Sequence, residues 1–162
     1  MKISISIFFT LFIITNELIA QNPSDSLYIS SIDSIRKKIK KQDNSLIHKQ
    51  FKDTSYNRTV VKSFENNKLI SIFYVNESFI CSENVTFHMK NDSLVYVEYT
   101  LSAPDIRSSR PASITYSIYF KNDTQIHYST SYYPGAIDCI LPPLEDKSFV
   151  EEYYYYKNLN NK

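Results

Sequence analysis

Three short stretches of this chain are variations on one pattern, and together they leave few folds open to it. Phe64-Glu65-Asn66-Asn67-Lys68-Leu69-Ile70, Met89-Lys90-Asn91-Asp92-Ser93-Leu94-Val95 and Phe120-Lys121-Asn122-Asp123-Thr124-Gln125-Ile126 each run apolar, charged, Asn, Asn or Asp, polar, then mostly apolar. Asn and Asp tolerate positive φ, so each central pair makes a tight corner between two antiparallel strands. The flanks agree, because their hydrophobicity alternates with period two. Val85, Phe87 and Met89 alternate with Thr86, His88 and Lys90; Ile114, Tyr116, Ile118 and Phe120 alternate with Thr115, Ser117, Tyr119 and Lys121. Alternating β-branched and aromatic residues build half-buried strands. The pattern predicts hairpins over 58–65 with 68–75, 79–90 with 93–101, and 112–121 with 124–132, and a further strand over 149–157. Consecutive hairpins give an antiparallel meander.

Before the hairpins the period is helical. Tyr28, Ile32, Ile35 and Ile39 recur at i, i+4, i+7 and i+11, one face of a helix over about residues 25–42. Ser24, Asp25 or Ser26 can cap its start, and the run from Arg36 to Lys41 places cations at the negative end of its dipole. The fold expected is mainly β (α+β): one curled antiparallel meander of about seven strands, with an N-terminal amphipathic helix packed on a face. Residues 21–162 form a single globular domain in this reading. The basic run is expected on the solvated back of the helix, with anionic lipid headgroups or polyanions as the other reading.

The first twenty residues speak of location. Met1-Lys2 is a short positive start, Ile3 to Thr15 is uncharged and rich in Ile, Phe and Leu, and Ala20 offers a small residue before Gln21. That order is the pattern of a secretory signal peptide, and the uncharged stretch falls short of the roughly 20 residues a membrane span needs. The expected fate is export, to the periplasm or beyond, with no transmembrane span once the leader is removed. Cys81 and Cys139 are the only cysteines. In an exported chain such a pair forms a disulfide more often than not, and closing a loop of this length contributes about 4 kcal/mol in the chain-entropy account. A buried pair of free thiols is the alternative.

A leader ending in Ala20-Gln21, a short amphipathic helix and hairpins of the form Phe64-x-Asn66-Asn67-x-Leu69-Ile70 resemble small exported β-meander proteins of Bacteroidota-type bacteria. In those sequences the corner is more often Asn-Gly or Asp-Gly, whereas here Asn or Asp holds the second position. The resemblance implies export and the meander, and brings no activity with it.

Chemistry is narrowed mainly by exclusion. Gly135 is the only glycine, so phosphate-cradling loops, dinucleotide fingerprints and nucleophile elbows cannot be written in this chain. A formal net charge of +1 does not suit a dedicated nucleic-acid binder. The charge is nevertheless divided, with a basic stretch over 21–52 and a mildly acidic body after it. His48, His88 and His127 fall at no metal-ligand spacing. His88 and His127 are expected to face solvent from their strands, no metal site is expected, and no cofactor is implied. Glu151-Glu152 and Glu145-Asp146 would point to opposite faces of a strand, so no pair of carboxylates converges on one substrate.

The binding candidates are loops and tyrosines. The 102–112 loop is bounded by Pro104 and Pro111 and carries Arg107 and Arg110, which could grip a carboxylate, phosphate or sulfate. Tyr132 and Tyr133 border a second loop, and Tyr153 to Tyr156 form an aromatic run whose alternate members would be exposed on a strand. The function expected is an exported, non-enzymatic binding or interaction module whose partner is an envelope glycan or a protein. The alternative is an inhibitor or immunity-type protein that blocks a secreted hydrolase or toxin.

Overall fold

The computed structural model describes residues 23–77, 81–103, 112–133 and 148–159. It holds helix α1 (Pro23–Gln42), a short 3-10 turn (Asp43–Ser45), and strands β1 (Ile47–Asp53), β2 (Arg58–Glu65), β3 (Lys68–Glu77), β4 (Ser82–Lys90), β5 (Ser93–Ala103), β6 (Ala112–Lys121) and β7 (Thr124–Tyr133). Helix α2 (Phe149–Asn158) closes the order. The strands form one antiparallel sheet in the order β1-β2-β3-β4-β5-β6-β7, a meander in which every strand pairs with its sequence neighbours. The leader, Cys139 and most of the 102–112 loop, with Arg107 and Arg110, lie outside the described residues. No helix among the described residues is long and apolar enough to cross a membrane.

The corner residues do what their chemistry allows. Asn66 and Asn67, Asn91 and Asp92, and Asn122 and Asp123 all have φ between 50° and 66°. Positive φ at both central positions is the turn whose twist suits a two-residue hairpin. Each hairpin then carries a bulge. Ser63 pairs with Ser71 but Phe64 with Leu69; His88 pairs with Tyr96 but Met89 with Leu94; Tyr119 pairs with His127 but Phe120 with Gln125. Ile70, Val95 and Ile126 are therefore the extra residues, one at the same place in each repeat. A bulge of this kind adds twist and re-aims the side chains beside it.

Two elements differ from the sequence expectation. Residues 149–157 form helix α2, not a strand. Phe149, Tyr153 and Tyr156 lie at i, i+4 and i+7 and are buried, while Tyr154 and Tyr155 are exposed. Ser148 caps the helix by accepting from the Glu151 N–H, Glu151 and Glu152 sit in the first turn and Lys157 in the last. Capping and dipole here outweigh the strand preference of four consecutive tyrosines. The seventh strand is instead β1, an edge strand with mostly exposed side chains.

The helices cover opposite faces of the sheet. On one face Val60, Ile72, Tyr74, Val85, Phe87, Val97, Tyr99, Leu101 and Ile118 form the main core with Phe149, Tyr153 and Tyr156 of α2. Burying each such side chain contributes roughly 1.5–3 kcal/mol. Buried Lys62 ties down the end of α2, donating to the Lys157 and Leu159 carbonyls at 3.0 and 2.6 Å. Tyr74 donates to Glu152 at 2.6 Å, and Tyr155 to the buried Asp53 carboxylate at 3.0 Å. On the other face α1 packs Ile32, with Tyr28, Ile29 and Ile35, against Val95, Tyr96, Tyr119 and Ile126 of β5–β7. Tyr28 also donates to the Phe120 carbonyl, and Lys121 pairs with Asp25, pinning the start of the helix.

Candidate functional site

The register brings together residues far apart in sequence. On the α1 face, direct cross-strand pairing runs His48–Ser63–Ser71–His88–Tyr96–Tyr119–His127, one residue from each of the seven strands. All three histidines of the chain lie on this row. Over β5–β7 it is aromatic and tightly covered. Tyr96 and Tyr119 meet edge to face at 5.1 Å, and the Arg36 guanidinium stacks 4.4 Å above the Tyr96 ring. The Tyr119 hydroxyl donates to Asp33 at 2.8 Å and that of Tyr96 to Ser117 at 2.8 Å. Burial and the Asp33 carboxylate raise the Tyr119 pKa, and burial takes that of Tyr96 up to about 12.

Over β2 and β3 the row shrinks to serine, between His48 and His88, and α1 does not close the space above it. A cleft of about 360 Å³ lies there, lined by Ile39, Lys40, Asp43, His48, Val61, Ser63, Ser71, Phe73, Thr86, His88 and Glu98. Its size falls within the range of small-molecule sites. His48 Nδ1 lies 3.0 Å from Ser63 Oγ, and its Nε2 lies 3.2 Å from the Asp43 carbonyl. Glu98 is held by Arg36 at 3.6 Å and Lys40 at 3.3 Å.

His88 departs most from expectation. The sequence reading turned it to solvent, yet it is 5% exposed, because it pairs beside Tyr96 and α1 roofs that part of the sheet. Its ring lies 5.5 Å from that of Tyr96. Its Nδ1 is buried and meets no hydrogen-bond partner among the described residues. Burial pushes its pKa down to about 4, with Arg36 and Lys40 pushing the same way and Glu98 opposing them. A neutral imidazole with an unused polar atom beside a cleft is a group that awaits a ligand atom or water, since orphaned buried polar groups are costly.

The other candidate residues are scattered or undescribed. Tyr132 is 59% exposed on the edge strand β7, well away from the cleft, and Tyr133 ends the same strand. His127 is half-buried beside Tyr119 instead of facing open solvent. Of the basic run, Lys37, Lys38, Lys40 and Lys41 are exposed as a solvated helix back would be, while half-buried Arg36 reaches Glu98, and Lys38 and Lys40 reach Glu65 and Glu98 from solvent. Glu152 is engaged with Arg58 and Tyr74 while Glu151 is exposed on the capped first turn, a helical division of labour and not a strand's. Cys81 sits half-buried just before β4; its expected bridge to Cys139 lies outside the described residues.

The His48–Ser63 contact has the distance of a nucleophile and its base. His48 Nε2 lies 3.7 Å from Asp43 Oδ1, too long for a hydrogen bond, and the strand N–H groups around Ser63 belong to the sheet ladder. No group of three or more potential metal ligands occurs among the described residues. What the cleft offers is hydrogen bonding: three hydroxyls, two imidazoles, a carboxylate held by Lys40, and one aromatic wall.

Comparison with known proteins finds no family model that matches the chain, and no curated protein or solved structure with significant similarity to it.

Proposed function

We propose that this chain is an exported binding module that takes a small polyhydroxylated ligand, a sugar unit of an envelope glycan, into the cleft beneath α1. The observation that carries this reading is the buried, unpartnered Nδ1 of His88 at the wall of a 360 Å³ cleft. Ser63, Ser71 and Thr86 supply hydroxyls that both donate and accept, and Glu98 accepts strongly. Phe73 gives an apolar face for ring C–H groups. Lys40 and Arg36 both hold Glu98, so that carboxylate is compensated and the serine floor of the cleft suits a neutral ligand. Export rests on the basic, apolar and small-residue order of the first twenty residues.

Titration calorimetry of the purified protein against neutral mono- and disaccharides tests the site. Saturable binding is expected for at least one of them and should vanish in Ser71→Tyr, which fills the cleft. Absence of binding across the panel, or binding that survives Ser71→Tyr, defeats the reading. A protein partner, as an inhibitor would have, is favoured by one separate observation. Edge strand β7 is long and exposes Tyr128 and Tyr132, a template for strand addition. Capture of a single secreted hydrolase, lost on Tyr128→Lys, would move the function there.

A further inference from the structure

The three bulged aliphatics are built by one rule but meet different surroundings. Val95 and Ile126 point to the α1 face and pack with Ile32 and its neighbours. Ile70 instead lines a second opening of about 770 Å³ beneath the C-terminal half of α1, at the hairpin-corner end of the sheet. Ile35 and Ile39 roof it, and Phe64, Leu69 and Met89 complete an apolar interior. The rim is charged. Lys38, Lys68 and Lys90 border it, together with Glu65 and Asp92. Both carboxylates are engaged: Glu65 pairs with Lys38 at 3.7 Å and Asp92 with Lys157 at 3.7 Å. Lys68 and Lys90 make no ion pair among the described residues; Lys68 follows the Asn66–Asn67 corner and Lys90 precedes the Asn91–Asp92 corner, on the adjacent strands β3 and β4 at one end of the sheet.

We propose that this groove binds a single-chain fatty carboxylate, its alkyl tail along Ile35, Ile39 and Ile70 and its head at Lys68 and Lys90. Apolar walls demand a tail, because an empty groove of this lining leaves aliphatic surface in water. Three lysines against two carboxylates leave the rim net positive, with Lys68 and Lys90 in no ion pair, which suits a single anionic head for which lysine acts as a point charge. A second copy of this chain would bring its own lysine pair to the same rim, and the like charges would repel. The inference concerns a different opening from the polar cleft and does not rest on a sugar occupying it.

The experiment is titration of the purified protein with dodecanoate below its micelle concentration, alongside dodecanol and vesicles carrying anionic headgroups. One-to-one binding of dodecanoate is expected, weakened at least tenfold in Lys68→Glu/Lys90→Glu, with dodecanol affinity little changed by that pair. Both lysines are exposed, so the double variant should keep the wild-type circular dichroism and melting curve. A diazirine placed near the chain terminus of dodecanoate should cross-link to the segments holding Ile35, Ile39 or Ile70, a readout independent of the variants. No saturable dodecanoate binding, equal affinity in the double variant, cross-links elsewhere, or binding only to vesicles would each overturn the proposal. Sugar titrations on the same double variant keep the two readings apart, because the polar cleft does not use these lysines.

Discussion

The two halves of the α1 face are made from the same repeat and end in opposite states. Over β5–β7 the cross-strand row is Tyr96, Tyr119 and His127, and the N-terminal half of α1 lies flat on it through Ile32. Over β1–β4 the same row is His48, Ser63, Ser71 and His88, and the C-terminal half of the helix stands above two openings. The backbone differs little, since each hairpin has the same corner and the same bulge. Side-chain volume makes the difference: two tyrosines fill the gap under the helix, whereas two serines do not. One half is therefore anchor and the other is receptacle, and it follows that substitutions in the two halves should have separable effects.

The largest effect is expected in the anchor. Ile32→Ala should cost about 2–5 kcal/mol, because the side chain is 1% exposed and its removal leaves a cavity. Urea denaturation followed by circular dichroism checks it, and a loss below about 1 kcal/mol would mean that α1 is not held through this contact. Second comes acidification of the receptacle. Folded His88 stays neutral down to about pH 4, whereas an unfolded histidine takes up its proton near pH 6.5. The unfolded state binds more protons in that window, so stability is full above it and falls as pH drops through it, by about 3 kcal/mol. His88→Gln should flatten that part of the stability profile.

Third, the paired truncations Val95→Ala and Ile70→Ala compare the halves at equivalent bulge positions. Val95, at 4% exposure, should lose about 1–2 kcal/mol more than half-buried Ile70. Equal losses would erase the distinction drawn above. Smallest is the effect of Lys40→Ala, whose pair with Glu98 joins the roof to the sheet. The lysine is exposed and the pair should be worth about 0.2–1 kcal/mol, vanishing at high salt.

Much of this architecture was written in the chain. Alternation set the strands β2–β7, the Asn and Asp pairs set their corners, and the i, i+4, i+7 spacing of Tyr28, Ile32 and Ile35 set α1. Helix α2 was legible too, in the Ser148-x-x-Glu151 signature of a capped start, but the strand preference of Tyr153 to Tyr156 drowned it. Strand β1 gave no alternation because both its faces are largely wet. The candidate site was the least visible part. With unbulged two-residue hairpins, Ser63 would oppose Ile70, His88 would oppose Val95 and Tyr119 would oppose Ile126. One extra residue per hairpin shifts each pairing, and only then do His48, Ser63, Ser71, His88 and His127 fall into line. Nothing local to His88 records that a helix some fifty residues earlier lies over it.

The strict sequence order of the sheet has a kinetic consequence. Every strand finds its partner next door, so no long loop must close before the sheet can start to zip, and chains dominated by such near contacts assemble quickly for β proteins. The Asn-Asn and Asn-Asp bends set the starting points of that zippering, and α2, synthesised after all seven strands, has a preformed apolar sheet to dock against.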